Sequence, residues 1–421
     1  MEATSTKRGQ QVRSGNRWIM LLLCWLAFTM TSVDRSTWGP ASVFVGEDLG
    51  VPLASLGVFA TAYYIGYVCS NAMTGVLSDR FGGREVVTAS LSGAGLFMIV
   101  FGSTTSAVVG VSVQAVIGFF AGADYAAGIK LIASWFQPKD LGKAMGLFTS
   151  ATSLGTVIAN TVVPWMINHY SWHASYRLFG ALSIVTAITC YVILRPGPVV
   201  NQAHRTHDQK RPSAWKTLIT NRDLMLVSLA GFGGFWGTYG FVIWSNALLI
   251  EGHGVSGTAA GFIVAVFAGT AVVGKPLIGM LGDKINSARK PAIVILVLFA
   301  GILVFFGTLD HVPTLLIVAP VLGLVGYGYL PLLVAMIPRL VSSDITGRAA
   351  GATNAFWQVA STLVPLAIGA VFAATDSFLA AFCALSVGPL AGAVILYFVN
   401  ENGGNKADPG SRSESEKTLS H

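Results

Sequence analysis

The amino-acid sequence predicts an all-α membrane protein with twelve transmembrane helices, and its composition and the lengths of its apolar runs both support this. Of the 421 residues, 53% are hydrophobic and only 11% are charged, whereas a soluble domain carries about 25% charged residues. The apolar residues fall into runs of about 20, the length of a helix that spans a bilayer. A surface in contact with lipid accounts for this composition better than one large soluble core.

Twelve apolar runs are long enough to cross a membrane, six before a polar central segment and six after it. Glycine and proline are frequent inside these runs, as expected of membrane helices that pack closely or bend. The predicted spans are residues 18–44, 56–78, 85–104, 107–136, 143–167, 175–194, 223–250, 257–281, 290–309, 313–338, 348–373 and 376–398.

The polar segments divide the chain into two bundles of six helices. The C-terminal tail is rich in Ser and Gly, so we expect it to be disordered. The predicted units are an N-terminal tail (1–17), a first bundle (18–194), a central loop (195–222), a second bundle (223–398) and the C-terminal tail (399–421).

The positions of the positive residues predict the orientation of the chain. None of the 26 Lys and Arg residues falls in the predicted outer loops, which carry Glu47, Asp48, Glu251 and Asp310 instead. Because Lys and Arg accumulate in cytoplasmic loops, we expect both termini and the central loop in the cytoplasm. Compact loops favour the inner membrane of a bacterial cell.

The net charge of +7 does not indicate nucleic-acid binding, since no basic stripe with stacking aromatic residues is present.

A repeat of about 204 residues relates the two predicted bundles. The sequence GVLSDR from Gly75 to Arg80 recurs as GMLGDK from Gly279 to Lys284, and a second pair of Gly-rich segments begins at Gly142 and Gly347. One duplicated six-helix unit explains this spacing. We therefore expect two bundles related by a pseudo-two-fold axis along the membrane normal, with a binding site between them near the bilayer midplane.

Two motifs resemble those of a known family of transporters. The segment from Gly75 to Arg84, GVLSDRFGGR, is similar to the signature loop between spans 2 and 3 of the major facilitator superfamily. In span 1, SVDRSTW from Ser32 to Trp38 resembles the anion:cation symporter group, which carries sugar acids and related carboxylates. The resemblance departs at Gln114 and Ala121, where the group has Arg and an acidic residue; Asp124 lies one turn further along.

Arg35 is the main candidate for binding substrate. An ionisable residue inside a span costs at least about 2.5–3.5 kcal/mol, so it marks either a pathway or a structural pair. The planar guanidinium suits a carboxylate and remains charged, and the resemblance implies a position in the central cavity. A structural ion pair with an acid on a neighbouring helix is the alternative.

Other intramembrane charges suggest proton carriers and further binding residues. Asp34 and Asp124 are the candidate proton carriers, although either could instead neutralise a cation. Lys130 could bind substrate or extend to the interface, and Lys275 could add positive charge to the cavity or extend toward Asp283. Together with residues that match the group, the predicted substrate-binding set is Arg35, Tyr67, Asn71, Lys130, Tyr239, Lys275 and Asn354.

Charged residues at the cytoplasmic ends of spans 2 and 8 predict a gate. A charge relay there would latch the outward-open state and release when the bundles rock. The alternative is a solvated turn held by helix caps. The predicted gating residues are Asp79, Arg80, Arg84 and Asp283.

These features predict a secondary transporter that carries a small organic anion with protons by alternating access. Its expected partners are the organic anion, protons and the lipid bilayer, and we expect a monomer. The sequence shows no catalytic set, metal-binding motif or cofactor motif. The alternative is a proton-coupled exporter of drugs or other lipophilic compounds. Such exporters carry a Gly-Pro-rich motif in span 5, whereas this span has only Pro164.

Overall fold

The computed structural model describes residues 2–136, 138–197, 218–285, 287–341 and 346–401, without the side chains of 2–15, 72, 75, 76, 79, 138–143, 276, 279–285 and 346–348. Within these ranges the regular structure is helical, and twelve helices are long and apolar enough to cross a membrane. The prediction of an all-α membrane protein with twelve spans is confirmed.

Among the described residues, the first half of the molecule contains seven helices, because its first membrane crossing is divided in two. A short 3₁₀ turn at Leu53–Ser55 leads from the first crossing into the second. The helices are α1 (Glu2–Ser36), α2 (Trp38–Leu49), α3 (Gly57–Phe81), α4 (Gly83–Phe101), α5 (Ala107–Trp135), α6 (Pro138–His169) and α7 (Trp172–Ile193).

The second half contains six helices in the part of the chain that the structure describes, one for each crossing. A π-helical turn at Leu248–Gly252 extends the first of them. The helices are α8 (Arg222–Ala247), α9 (Gly257–Ile285), α10 (Arg289–Phe306), α11 (Val312–Leu340), α12 (Thr346–Thr375) and α13 (Phe378–Tyr397).

The division between α1 and α2 is a feature that the sequence analysis did not predict. Pro40 lies in the first turn of α2, so it cannot donate a backbone hydrogen bond to the carbonyl of Ser36. The helix therefore breaks at Thr37, two residues after Arg35. Helix α1 also begins at Glu2, well before the predicted start of the span at residue 18.

The first residues of the C-terminal tail, 399–401, are bonded to the second half of the molecule. The Glu401 carboxylate accepts hydrogen bonds from Ser287 Oγ at 2.6 Å and from the backbone N–H of Arg289 at 2.9 Å. It also lies 3.5 Å from the guanidinium of Arg339. A carboxylate at the start of α10 satisfies free backbone donors and complements the helix dipole, which orders the chain up to this residue.

The two halves pack against each other at the end of the bundle that the charge pattern predicts to be external, called here the outer end. Gly57 of α3 lies so close to the Pro365 carbonyl of α12 that a Cβ there would overlap it, and Gly261 of α9 approaches the Asn160 carbonyl of α6 in the same way. Gly57 and Gly261 are about 204 residues apart, so the repeat places them at equivalent positions.

Hydrogen bonds between the halves reinforce the contact at the outer end. Asn246 Nδ2 donates to Asn160 Oδ1 at 2.9 Å, and Asn168 Nδ2 donates to Thr258 Oγ1 at 2.7 Å. At the opposite end, a Cβ at Gly146 or Gly351 would meet no atom within 4 Å. The described contacts therefore close the outer end and leave space at the other.

Candidate functional site

Arg35 lies in the last turn of α1, at the interface between the two halves. Its guanidinium carbon is 6.0 Å from the ring centre of Tyr67 on α3 and 5.6 Å from that of Tyr239 on α8. Aromatic rings attract cations through their negative faces without neutralising them. Among the described side chains no carboxylate forms an ion pair with Arg35, so the structural-pair alternative finds no partner in that part of the chain.

A chamber between the halves surrounds the Arg35 side chain. It takes residues from both halves, and its free volume is about 30 Å³, room for one or two water molecules. A larger ligand therefore requires aromatic side chains to move aside. The lining residues are Arg35, Ser36, Trp38, Gly39, Ala60, Tyr63, Tyr64, Gln114, Thr152, Thr156, Tyr239, Val242, Ile243 and Tyr327.

Tyrosines form most of the aromatic wall of this chamber. The rings of Tyr64 and Tyr239 meet edge to face across the interface, with centroids 5.9 Å apart. Tyr63 is 4% exposed, and its hydroxyl has no hydrogen-bond partner. A buried hydroxyl without a partner costs about 1–3 kcal/mol, so this group is available to a bound ligand.

Lys275 of α9 lies beside the chamber. Its Nζ donates to Ser153 Oγ of α6 at 3.0 Å and lies 4.6 Å from the ring centre of Tyr327, a lining residue. Lys275 is half-buried, and its bond to Ser153 joins the two halves. Asn71, at the equivalent position in α3, donates instead to the Tyr67 carbonyl of its own helix at 3.1 Å.

The two acidic residues lie inside the first half and outside the chamber lining. Asp34 is 3% exposed, and both of its carboxyl oxygens lie 3.2 Å from Ser183 Oγ of α7. Asp124 is fully buried: Thr31 Oγ1 donates to its Oδ2 at 3.0 Å, and its Oδ1 has no partner. Within the described residues neither acid pairs with a cation, and ionising such a group costs several kcal/mol.

Lys130 and Asn354, the remaining predicted binding residues, are not in the chamber lining. Lys130 Nζ donates to the backbone carbonyl of Ser78 at 2.8 Å, near the end of α3. That contact ties α5 to α3. Asn354 is half-buried on α12.

The predicted gating residues lie at the other end of the bundle, which the charge pattern predicts to be cytoplasmic. The guanidinium of Arg80 lies 5.3 Å from the ring of Phe81, and that of Arg84 lies 4.6 Å from the ring of Tyr191. Arg84 Nε is also 3.4 Å from Glu85. These contacts all remain within the first half. The side chains of Asp79 and Asp283 lie outside the described residues.

Sequence reasoning missed several residues of the chamber. Tyr63 and Tyr64 precede Tyr67 in the same helix, but aromatic residues in a span are more often packing residues. Tyr327, which lines the chamber, carries no signal of its own, and neither does Ser153, the hydrogen-bond partner of Lys275. Only the packing of the halves brings them toward Arg35 and Lys275. Gln114 differs from these residues because the sequence analysis singled it out, as a position where the anion:cation symporter group has Arg. It does line the chamber.

No metal site is found among the described residues, where no three His, Cys, Asp or Glu side chains cluster.

The family comparison agrees with the architecture. The model of the Major Facilitator Superfamily matches residues 24–258 and 245–420. Two solved structures share the fold: a bacterial homologue of the human lysosomal transporter Spinster in an inward-facing, unoccupied conformation, and a D-xylose–proton symporter. The first has TM-score 0.76 at 16% identity and covers 91% of this chain and 95% of that one; the second has TM-score 0.71 at 17% identity, covering 91% and 98%.

Curated relatives with similar sequences are transporters. The probable galactarate/D-glucarate transporter GudP of Bacillus subtilis is 25% identical, with 86% of this chain and 87% of the relative covered. The D-galactonate transporter of Escherichia coli O6:H1 is 22% identical, with 84% and 88% covered. The probable sulfoacetate transporter SauU of Cupriavidus necator is 23% identical, with 89% and 91% covered.

Proposed function

Because the chain belongs to the Major Facilitator Superfamily, whose similar curated members are transporters and not enzymes, we propose that it carries a small organic anion together with protons. The substrate is a carboxylate or sugar acid, and transport proceeds by alternating access across the cell inner membrane. Both termini lie in the cytoplasm. The substrates named for the relatives support this class, since galactarate, D-glucarate and galactonate are sugar acids.

The observation that carries this proposal is the position of Arg35. Its permanently charged guanidinium faces a chamber between the halves, and no acid among the described residues is paired with it. A buried charge without a partner is costly, and a transported carboxylate supplies that partner. Two parallel N–H···O bonds fix the orientation of the carboxylate as well as its charge.

The asymmetry between the two ends of the bundle supports the proposal of alternating access. The glycine contacts and asparagine bonds close the outer end, while Gly146 and Gly351 face open space at the other. With the proposed orientation this is an inward-facing conformation. Rocking of the halves would separate Gly57 from Pro365 and Gly261 from Asn160 and would bring the gating residues of the opposite end together.

Asp34 and Asp124 are proposed to carry the protons. Asp34 immediately precedes Arg35 in the chain, but its carboxyl group contacts Ser183 and does not line the chamber. Positive charge at Arg35 favours the ionised form of a nearby acid, and a bound anion offsets that charge. Substrate binding therefore promotes protonation of the acids, which couples the two fluxes in one direction.

Uptake by the purified protein in liposomes tests this function. With galactarate, galactonate and succinate as probes, we expect uptake to rise with an inward proton gradient. Arg35→Ala should reduce counterflow at least about 100-fold, and Arg35→Lys should restore part of it, because Lys keeps the charge but loses the bidentate geometry. Lys290→Ala, at an exposed site on α10, is the control. Counterflow that survives Arg35→Ala would refute the proposal.

A further inference from the structure

We propose that the transported substrate carries two negatively charged groups, one bound by Arg35 of the first half and the other by Lys275 of the second. This inference rests on the proposed transport of an organic anion and narrows its substrate class to dianions, such as dicarboxylates. Lys275 then determines substrate specificity. The alternative role, in which it only anchors its helix at the membrane surface, would give no preference between substrates.

The geometry around Lys275 points toward the chamber. Tyr327 forms part of the chamber wall that Arg35 also lines, and the Lys275 ammonium lies 4.6 Å from the centre of the same ring. Its described polar contact is the neutral hydroxyl of Ser153 at 3.0 Å. The described contacts of Lys275 therefore include no anion, and its ammonium lies against a ring that lines the same chamber as the Arg35 guanidinium.

The charges explain why one anionic group is insufficient. Arg35 lines the chamber, Lys275 lies against the ring of the lining residue Tyr327, and neither forms an ion pair with a carboxylate among the described residues. Two like charges in a partly dry region destabilise each other. A monoanion at Arg35 leaves the charge of Lys275 without a partner, whereas a dianion neutralises both.

The two cations also lie on different halves of the transporter. Arg35 is on α1 and Lys275 on α9, and Lys275 already reaches across the interface to Ser153 on α6. When the second anionic group of the substrate displaces the hydroxyl, the bond between the halves is replaced by a stronger one through the substrate. A dianion thus links the halves, and a monoanion contacts only one of them through a charged group.

Matched pairs of probes test this inference. Galactarate and galactonate share a carbon chain and differ by one carboxylate, as do succinate and butyrate. We expect the wild-type protein to bind the dianion of each pair about 10- to 100-fold more tightly, measured by thermal shift and by inhibition of counterflow. Lys275→Gln should abolish this preference by weakening the dianion alone, and Lys275→Arg should retain it. Lys290→Gln is the control for loss of an exposed positive charge.

Two results would overturn the inference while leaving anion transport intact: equal binding of both members of each pair by the wild type, or equal weakening of both by Lys275→Gln. Failure of the proposed function gives a different pattern. In that case none of the four probes binds, and Arg35→Ala behaves as the wild type does.

Discussion

The two halves of the molecule share one framework but carry different chemistry at equivalent positions. With the repeat of about 204 residues, Arg35 corresponds to Tyr239, and the two side chains face each other across the interface. Asp34 corresponds to Thr238, and Asp124 to Gly328. Duplication therefore preserved the packing positions, while the buried acids and the guanidinium lie in the first half.

Asp34 and Thr238 show what this difference means in practice. Both side chains bond to a neighbouring helix: Asp34 accepts from Ser183 at 3.2 Å, and Thr238 Oγ1 lies 2.5 Å from the Gly326 carbonyl. A hydroxyl performs the packing role, but of these two groups only the carboxyl is an acid that can carry a proton. The first half is thus proposed to handle ions. Both halves supply aromatic residues to the chamber wall, and the second half adds Lys275 beside it.

Replacing the two acids should have the largest effect, because it removes the proton coupling that is proposed to distinguish the first half from the second. Asp34→Asn and Asp124→Asn keep the hydrogen bonds to Ser183 and Thr31 but remove the titratable group. We expect each to lower proton-driven accumulation in liposomes at least about tenfold, with counterflow within about threefold of wild type. Thr238→Val, at the equivalent position of the second half, should leave coupling unchanged. Accumulation at the wild-type level by both Asn variants would contradict the assignment.

The equivalent glycines test whether the framework itself is symmetric. A Cβ at Gly57 or Gly261 would overlap a backbone carbonyl of the other half, so Gly57→Ala and Gly261→Ala should each hinder closure of the outer end. We expect both to slow counterflow about three- to tenfold. Gly301→Ala, where a Cβ meets no atom within 4 Å, should be silent. A normal rate for one of the pair would show that closure depends on one side only.

The hydroxyl of Tyr63 marks a smaller difference between the halves. The equivalent residue is Phe267, which is buried against Phe241 and has no hydroxyl. Tyr63→Phe should raise the half-saturation concentration about three- to tenfold by removing a hydrogen bond of about 1 kcal/mol to the bound anion. The thermal midpoint of the empty protein should not fall. An unchanged half-saturation concentration would exclude contact with substrate.

The smallest effect concerns stability at the ends of the two halves. Glu401 contacts Arg339 in the second half. Its equivalent in the first half is Gly197, whose N–H donates to Ser134 Oγ at 2.9 Å, one residue before Trp135, the equivalent of Arg339. Glu401→Gln should destabilise the protein by about 1–3 kcal/mol, because it removes charge-assisted bonds. Ser134→Ala should cost only about 0.5–1.5 kcal/mol. Thermal unfolding in detergent measures both, and a larger loss for Ser134→Ala would contradict the comparison.

The sequence was sufficient to predict the framework, because membrane spans depend on local composition. The twelve apolar runs predicted the helices, and the repeat between Gly75 and Gly279 predicted the two bundles. A charged side chain inside an apolar run identified Arg35 as the candidate binding residue. The sequence was insufficient where the answer depends on how the halves pack. The direction of Asp34 toward Ser183 and the approach of Tyr327 to Lys275 follow from helix rotation, which no local pattern records.

The break at Thr37 lies between these two cases. Pro40 was visible in the sequence, and its missing N–H explains why α1 ends beside Arg35. A continuous apolar run concealed the break, since hydropathy does not distinguish one helix from two joined by a turn. Proline positions inside predicted spans therefore contain information about sites that the hydropathy profile omits.

A cryo-electron microscopy structure with a bound carboxylate such as galactarate tests the central claim most directly. We expect the carboxylate oxygens within about 2.7–2.9 Å of the Arg35 guanidinium, in a chamber enlarged by movement of the surrounding tyrosines. Ligand density away from this chamber, with Arg35 paired to an acid of the protein, would contradict the account.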